Sequence, residues 1–164
     1  MPDKSTIEKG KKDKQEGKSP GTQAGEFVHD EIEKVRKGKH GVRSVKQAIA
    51  IGLSEARRAG VDLPPPENGS PELMEKAKQD EEKARSHKPV SRKRSRARIK
   101  ALQKEPTDTV SSRELSKQAK TAAKRRTASD RSKAAKKAAR TKGPKERSLA
   151  AKKAARTRAR NKVK

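Results

Sequence analysis

The sequence contains no cysteine, tryptophan or tyrosine, and only one phenylalanine, Phe27. The absence of cysteine excludes a disulfide framework and a cysteine-based zinc site, and fits a reducing compartment. The shortage of aromatics argues against reading single strands on stacking platforms. Long apolar runs are missing too. The longest, residues 48–53, contains Gly52 and falls far short of the ~20 residues a membrane span needs. No membrane insertion is therefore expected. The opening stretch MPDKSTIEKGKKDKQEGK mixes acids with lysines and has no apolar core, so no secretory signal is expected. The acceptor triplet at Asn68 then carries no expectation of glycosylation. Acid is scarce as well, with 21 Asp and Glu against 47 Lys and Arg, a net charge of +26 on 164 residues. With 27% apolar and 41% charged residues, the chain has too little apolar surface to offset the ordering entropy of its whole length. A small ordered unit with long solvated arms is expected, without the scaffold for a deep enzyme pocket.

The excess charge is uneven. Residues 1–88 hold nineteen basic and sixteen acidic residues, a net of +3; residues 89–164 hold twenty-eight and five, a net of +23. Such a polycation calls for a polyanion: DNA, RNA or an anionic membrane.

One stretch carries every helix signal. In residues 44–60, SVKQAIAIGLSEARRAG, the residues Val45, Ala48, Ile49, Gly52, Leu53 and Ala56 fall on one helical face. Ser44 and Gln47 have the spacing of a capping box, and Arg57 and Arg58 suit the C-terminal dipole. Gly60 is placed as a left-handed cap with Val61 folding back, and Pro64, Pro65 and Pro66 forbid continuation. A first helix is expected over 26–39, with Phe27, Val28, Ile32 and Val35 inward, Asp30, Glu31 and Glu33 early, and Lys34, Arg36, Lys37 and Lys39 late. The pair forms an αα-hairpin over 25–66. Its core would be Phe27, Val28, Ile32, Val35, Val42, Val45, Ile49 and Leu53, with Val61 and Leu63 as further candidates. That is a small core, to be supplemented by homodimerisation through 25–66 or by a ligand.

Around the hairpin, residues 1–24 read as a disordered polar tail. Residues 67–88 read as an acidic linker or solvated helix, whose Glu72, Glu75, Asp80, Glu81 and Glu82 fold back on the basic tail. Residues 89–164 form that tail. Ser111 and Glu114 make a second capping-box pair, opening a helix to about residue 126. Residues 131–141, RSKAAKKAART, recur as 147–157, RSLAAKKAART, with only Lys133/Leu149 different. A degenerate copy, SKQAKTAAK, occupies 116–124. Gly143 and Pro144 separate the last two copies as helix end and helix start. Alanine favours helix but buries little, and like charges three and four apart oppose it. The repeats are expected to be coil when free and helical once phosphates neutralise them. The fold class is thus mostly α: a small helical hairpin with long disordered or conditionally helical basic tails.

The candidate phosphate contacts are Arg92, Lys93, Arg94, Arg96, Arg98, Lys100, Lys124, Arg125, Arg126, Arg131, Lys133, Lys136, Lys137, Arg140, Arg147, Lys152, Lys153, Arg156, Arg158 and Arg160. They predict sequence-independent binding driven by counterion release. A helix-turn-helix reading would instead place 44–59 in a major groove with Lys46, Gln47, Arg57 and Arg58 outward, but two helices and a turn are common and no third is evident. His29, His40 and His87 have no ligand spacing, so no metal or cofactor is expected. Asp30, Glu31 and Glu33 read as dipole partners rather than an acid/base pair. No triad, Walker loop or Gly-rich phosphate loop is present, and the chain reads as a non-enzyme. Phosphorylation at Ser91, Ser95, Ser112, Thr127, Ser132 or Ser148 would lower the tail charge.

Residues 38–66 resemble a family of small basic bacterial proteins carrying a domain of unknown function. Its hallmark segment, K-S-x-K-Q-A-I-A-I-x-L-S-E-A-R, is matched from Arg43, in the leading Lys position, through Arg57. The resemblance implies a bacterial, cytoplasmic setting. Residues 132–160 separately resemble the Ala/Lys-rich tails of linker histones and bacterial histone-like proteins, without the winged-helix domain of the former. That resemblance implies compaction of nucleic acid in the bacterial nucleoid. DNA is the favoured target. RNA or a ribosomal site is the first alternative, and a protein-interaction hairpin on a polycationic tether the second.

Overall fold

A computed structural model describes residues 2–66, 69–86 and 91–162. Asn68 of the acceptor triplet and His87 lie outside the described residues. Helices and turns make up the rest, with no strand among the described residues. The fold is therefore mostly α. The chain divides into two units, residues 1–118 and 119–164.

In the first unit, α1 (Lys4–Gln15) leads into α2 (Pro20–Arg36) and α3 (Val45–Arg58). Helix α2 starts six residues before the expected position. Ser19 and Pro20 set that start: Pro sits at the first helical position, where a missing N–H costs nothing. Helices α2 and α3 pack antiparallel. Val35 meets Ala48 and Ile51 at one end, with Val42 of the turn; Ala24 and Phe27 meet Ala56 and Val61 at the other. The crossing is close at Gly52, where a Cβ would lie 2.6 Å from the Val28 Cα. Helix α3 ends as its sequence dictates. Gly60 adopts φ 88°, and the Val61 N–H reaches the Ala56 carbonyl at 3.1 Å, the bond of a Schellman cap.

The inward face of α3 is rotated from the expected one. Val45, Ala48, Ile51, Gly52 and Ala56 are buried, while Ile49 and Leu53 are half-buried. The reason is that Val42 and Val110 cover Ile51, while α4 (Pro71–Ser86) docks beside it on the flank of Ser54 and Arg58, leaving Ile49 and Leu53 half-buried. Two packed neighbours widen the apolar sector that one would need. The α4 segment was expected as an acidic linker or a solvated helix. It is docked, burying Ala77 and Asp80.

The described part of the 1–24 segment, expected to be disordered, also joins the fold. Ile7 of α1 packs on the Phe27 cluster, and Gly10 faces the Phe27 ring. Lys18 Nζ closes the turn into α2, 2.6 Å from Asp13 and 2.8 Å from Glu16. The only aromatic ring of the chain is fully buried by this overlay.

The expected boundary at residue 89 does not hold for the core either. Helix α5 (Arg92–Leu102) is followed by a 3-10 turn (Asp108–Val110) that returns to the α2–α3 connection. Val42 N–H donates to the Pro106 carbonyl at 2.9 Å, and Thr109 Oγ1 to the Val42 carbonyl at 2.8 Å. Val110 is fully buried against Val35 and Val42, with Leu102 beside it. Helix α6 (Ser112–Arg125) begins in this unit; Ser111 Oγ accepts from the Glu114 N–H at 3.4 Å.

In the second unit, α7 (Ala128–Lys162) is a helix of 35 residues broken at Gly143. Coil was expected here; the backbone is helical. Alanine and lysine are strong helix formers, and no other element is needed to satisfy the backbone of a helix.

Candidate nucleic-acid interface

The sequence-predicted cations fall into two groups, one in each unit. Arg92, Lys93, Arg94, Arg96, Arg98 and Lys100 are all exposed on α5. Lys124 and Arg125 end α6 with Arg126 just beyond, and the remaining candidates lie on α7, all exposed.

On α7, Lys133, Lys136, Lys137 and Arg140 are spaced three, four and seven apart, which stacks them in one stripe. In the second copy Lys152, Lys153 and Arg156 hold the corresponding places, with Leu149 at the head. The copies are equivalent in structure as well as sequence. Thr141 Oγ1 donates to the Lys137 carbonyl at 3.0 Å, and Thr157 Oγ1 to the Lys153 carbonyl at 3.0 Å. Among the described residues from 119 to 162, no ion pair forms. The two acids there do not engage the stripes: Asp130 Oδ2 accepts from Thr127 Oγ1 at 2.7 Å, and Glu146 stands exposed.

The folded unit handles charge differently. Asp80, 1% exposed, accepts from Ser54 Oγ at 2.6 Å, Lys76 Nζ at 2.7 Å and Arg58 Nε at 2.8 Å. Burial alone would raise its pKa; the hydrogen bonds from Lys76, Ser54 and Arg58 outweigh it and hold the carboxyl below its usual range. Asp80 was expected to fold back on the basic tail and instead clasps α4 to α3. Arg57 donates from Nε to the Leu63 carbonyl at 3.2 Å and from Nη2 to the Pro64 carbonyl at 3.4 Å. Arg57 and Arg58 are thus committed to the fold, contrary to the helix-turn-helix reading that turns them outward. Gln47 is committed too. Its Oε1 accepts from the Arg43 N–H at 2.8 Å while its own N–H donates to Ser44 Oγ at 3.3 Å. The capping box closes one residue earlier than its pattern implies.

Glu31, placed by sequence on an exposed first turn, is 2% exposed in the middle of α2. Burial pushes its carboxyl above the usual range; His40, 3.6 Å away, opposes this and Glu55 reinforces it. Sequence reasoning missed this because it began α2 too late. Among the described residues no cluster of three His, Cys, Asp or Glu is placed to hold a metal ion. Helix α3, the proline segment and α4 border an open cavity of about 590 Å³, with Ile49, Leu53, Leu63, Pro66 and Leu73 on its walls. Among the described residues, Asp80 is the sole carboxylate there, already engaged as above. No described helix is long and apolar enough to cross a membrane.

The arrangement is that of a small helical unit bearing a long helical polycation without an apolar face. Within it, residues 11–67 match a family of unknown function, DUF6496. The match spans the end of α1, all of α2 and α3 and the proline segment, about a third of the chain, and stops short of every candidate phosphate contact. Neither a curated protein nor a solved structure matches the chain.

Proposed function

We propose that the protein binds nucleic acid, in the first place duplex DNA, without reading its sequence, as a histone-like component of a bacterial nucleoid. The observation that carries this reading is the set of exposed cations on α7 that form no ion pair among the described residues. Residues 119–164 hold nineteen Lys and Arg against two acids. Cations left without an acidic partner are available to phosphates, and neutralising phosphates releases counterions. Base readout has little to draw on. Of the side chains that could have entered a groove from α3, Gln47, Arg57 and Arg58 are tied to the fold, and the one Phe ring is buried. Residues 1–118 then serve as the structured body that carries the cations.

A salt titration tests this. The full chain is expected to bind duplex DNA of any sequence, with log K falling linearly in log salt at a slope of about −0.9 for each phosphate neutralised. Structured RNA at equal salt is the comparison; a clear preference for it would move the target to RNA. Failure to bind either at low salt would end the reading.

A further inference from the structure

The break in α7 falls between the two copies of its repeat. Gly143 has φ 64° and ψ 169°, a conformation foreign to helix and costly for any residue with a Cβ. Pro144 follows, with no N–H to give, and in a continuous helix its ring would meet the Arg140 carbonyl. The residue before a proline is itself driven to extended ψ, which Gly143 shows. Beyond the break the helix restarts, with Arg147 Nε donating to the Gly143 carbonyl at 3.2 Å. On either side stand residues 131–141 and 147–157, identical at ten of eleven positions and equivalent in their Thr141 and Thr157 hydrogen bonds.

The offset of sixteen residues gives the break a purpose. At 3.6 residues per turn, sixteen residues are four full turns plus about 160°. In one unbroken helix the second stripe, Lys152, Lys153 and Arg156, would point nearly opposite to the first, Lys133, Lys136, Lys137 and Arg140. Two copies of one phosphate-binding stripe would then face away from each other, and one duplex could meet only one of them squarely. A joint between the copies removes that restriction.

We infer that Gly143 and Pro144 form a joint that lets the two copies of the basic repeat engage a single nucleic-acid duplex as two separately aimed arms. This rests on the phosphate-binding reading above. Once the first arm is bound, the second binds at the effective concentration set by a two-residue connection, which adds avidity without new contacts.

The chain lacks cysteine, so Ser132→Cys and Ser148→Cys place one spin label on each arm at equivalent positions. Their separation is measured by pulsed electron resonance in the full chain, with and without a short DNA duplex at saturation, binding being followed in parallel by anisotropy. The expected result is a distance distribution that shifts and narrows when duplex is added. With Gly143→Ala and Pro144→Ala also present, the two copies become one helix, and the separation stays near the axial offset of about 24 Å with or without duplex. Saturating binding with an unchanged distribution in the unmutated joint would overturn the inference and leave the phosphate-binding reading standing. So would a shift of the same size in the straightened variant. Absence of binding at low salt would instead remove the phosphate-binding reading itself.

Discussion

Helices α3 and α7 share Ala, Lys, Arg and Ser, but α3 adds Val45, Ile49, Ile51 and Leu53 where α7 has only Leu149, and the two stand on different physics. Helix α3 has neighbours on two flanks, a capped start, a Schellman end and its terminal arginines tied into the fold. Helix α7 has a single half-buried described residue in its first fourteen, Ala139, and no ion pair among its described residues. The difference follows from charge balance. Residues 1–118 hold twenty-eight cations and nineteen acids, enough of each to pair; residues 119–164 hold nineteen and two. A region that can satisfy its own charges folds on itself, and one that cannot is left to satisfy them elsewhere.

The contrast is broken most severely at Phe27. Phe27→Ala empties the centre of the α1–α2–α3 contact and is expected to cost about 3–5 kcal/mol of the stability of the folded unit, read by denaturant unfolding. DNA affinity at low salt should stay within about twofold. A matching loss of affinity would show that binding needs the folded unit and would end the division of labour.

Next in size is Asp80→Asn, which removes the carboxylate from under Ser54, Lys76 and Arg58. Because Arg58 and Lys76 remain partly exposed, the expected loss is about 2 kcal/mol rather than the full cost of a buried pair. The sign of its pH dependence is fixed. The Asp80 pKa is lowered in the fold, so its contribution is present above the unfolded-state value and is lost as pH falls through the folded one. The wild type should therefore lose stability in acid by a step that the variant lacks. Equal acid profiles would refute the clasp. Ser44→Ala, which removes the bond from the Gln47 N–H, should cost about 1 kcal/mol, again with no change in DNA affinity.

At the small end for stability lies the tail. Replacing Lys133, Lys136, Lys137 and Arg140 together by Gln should leave the unfolding of residues 1–118 unmoved. It should reduce the salt slope of DNA binding by up to about 3.6, at about 0.9 for each of the four contacts. Because α7 is already helical, circular dichroism of the full chain should change little when duplex is added; a large gain of helix would show that the free repeats are coil and would blur the contrast.

Much of this was legible in the residues. Local signals sit within a few positions of one another and need no knowledge of the fold: Ser44 with Gln47, Gly60 before the prolines, Ser111 with Glu114, and Gly143-Pro144 between two copies of a repeat. The exposure of the α7 cations followed from their number and from the lack of any apolar stripe beside them. What was misread about the core depended on distance along the chain. Ile7 looked isolated until α1 lay over Phe27. Val110 looked like part of a tail until it closed the far end of the core, seventy-five residues from Val35. Asp80 looked like one of five solvated acids, and Glu31 like a dipole partner, because nothing near them in sequence marks them for burial.

The sequence by itself determined α3 with both its ends, the start of α6, the break in α7 and the surplus of charge, since each is a property of neighbouring residues or of composition. Tertiary structure alone decided which of those helices became a core. Burial is a property of pairs: a small chain with few apolar residues had to recruit Ile7, Ala77 and Val110 from both flanks of the hairpin before the hairpin was covered.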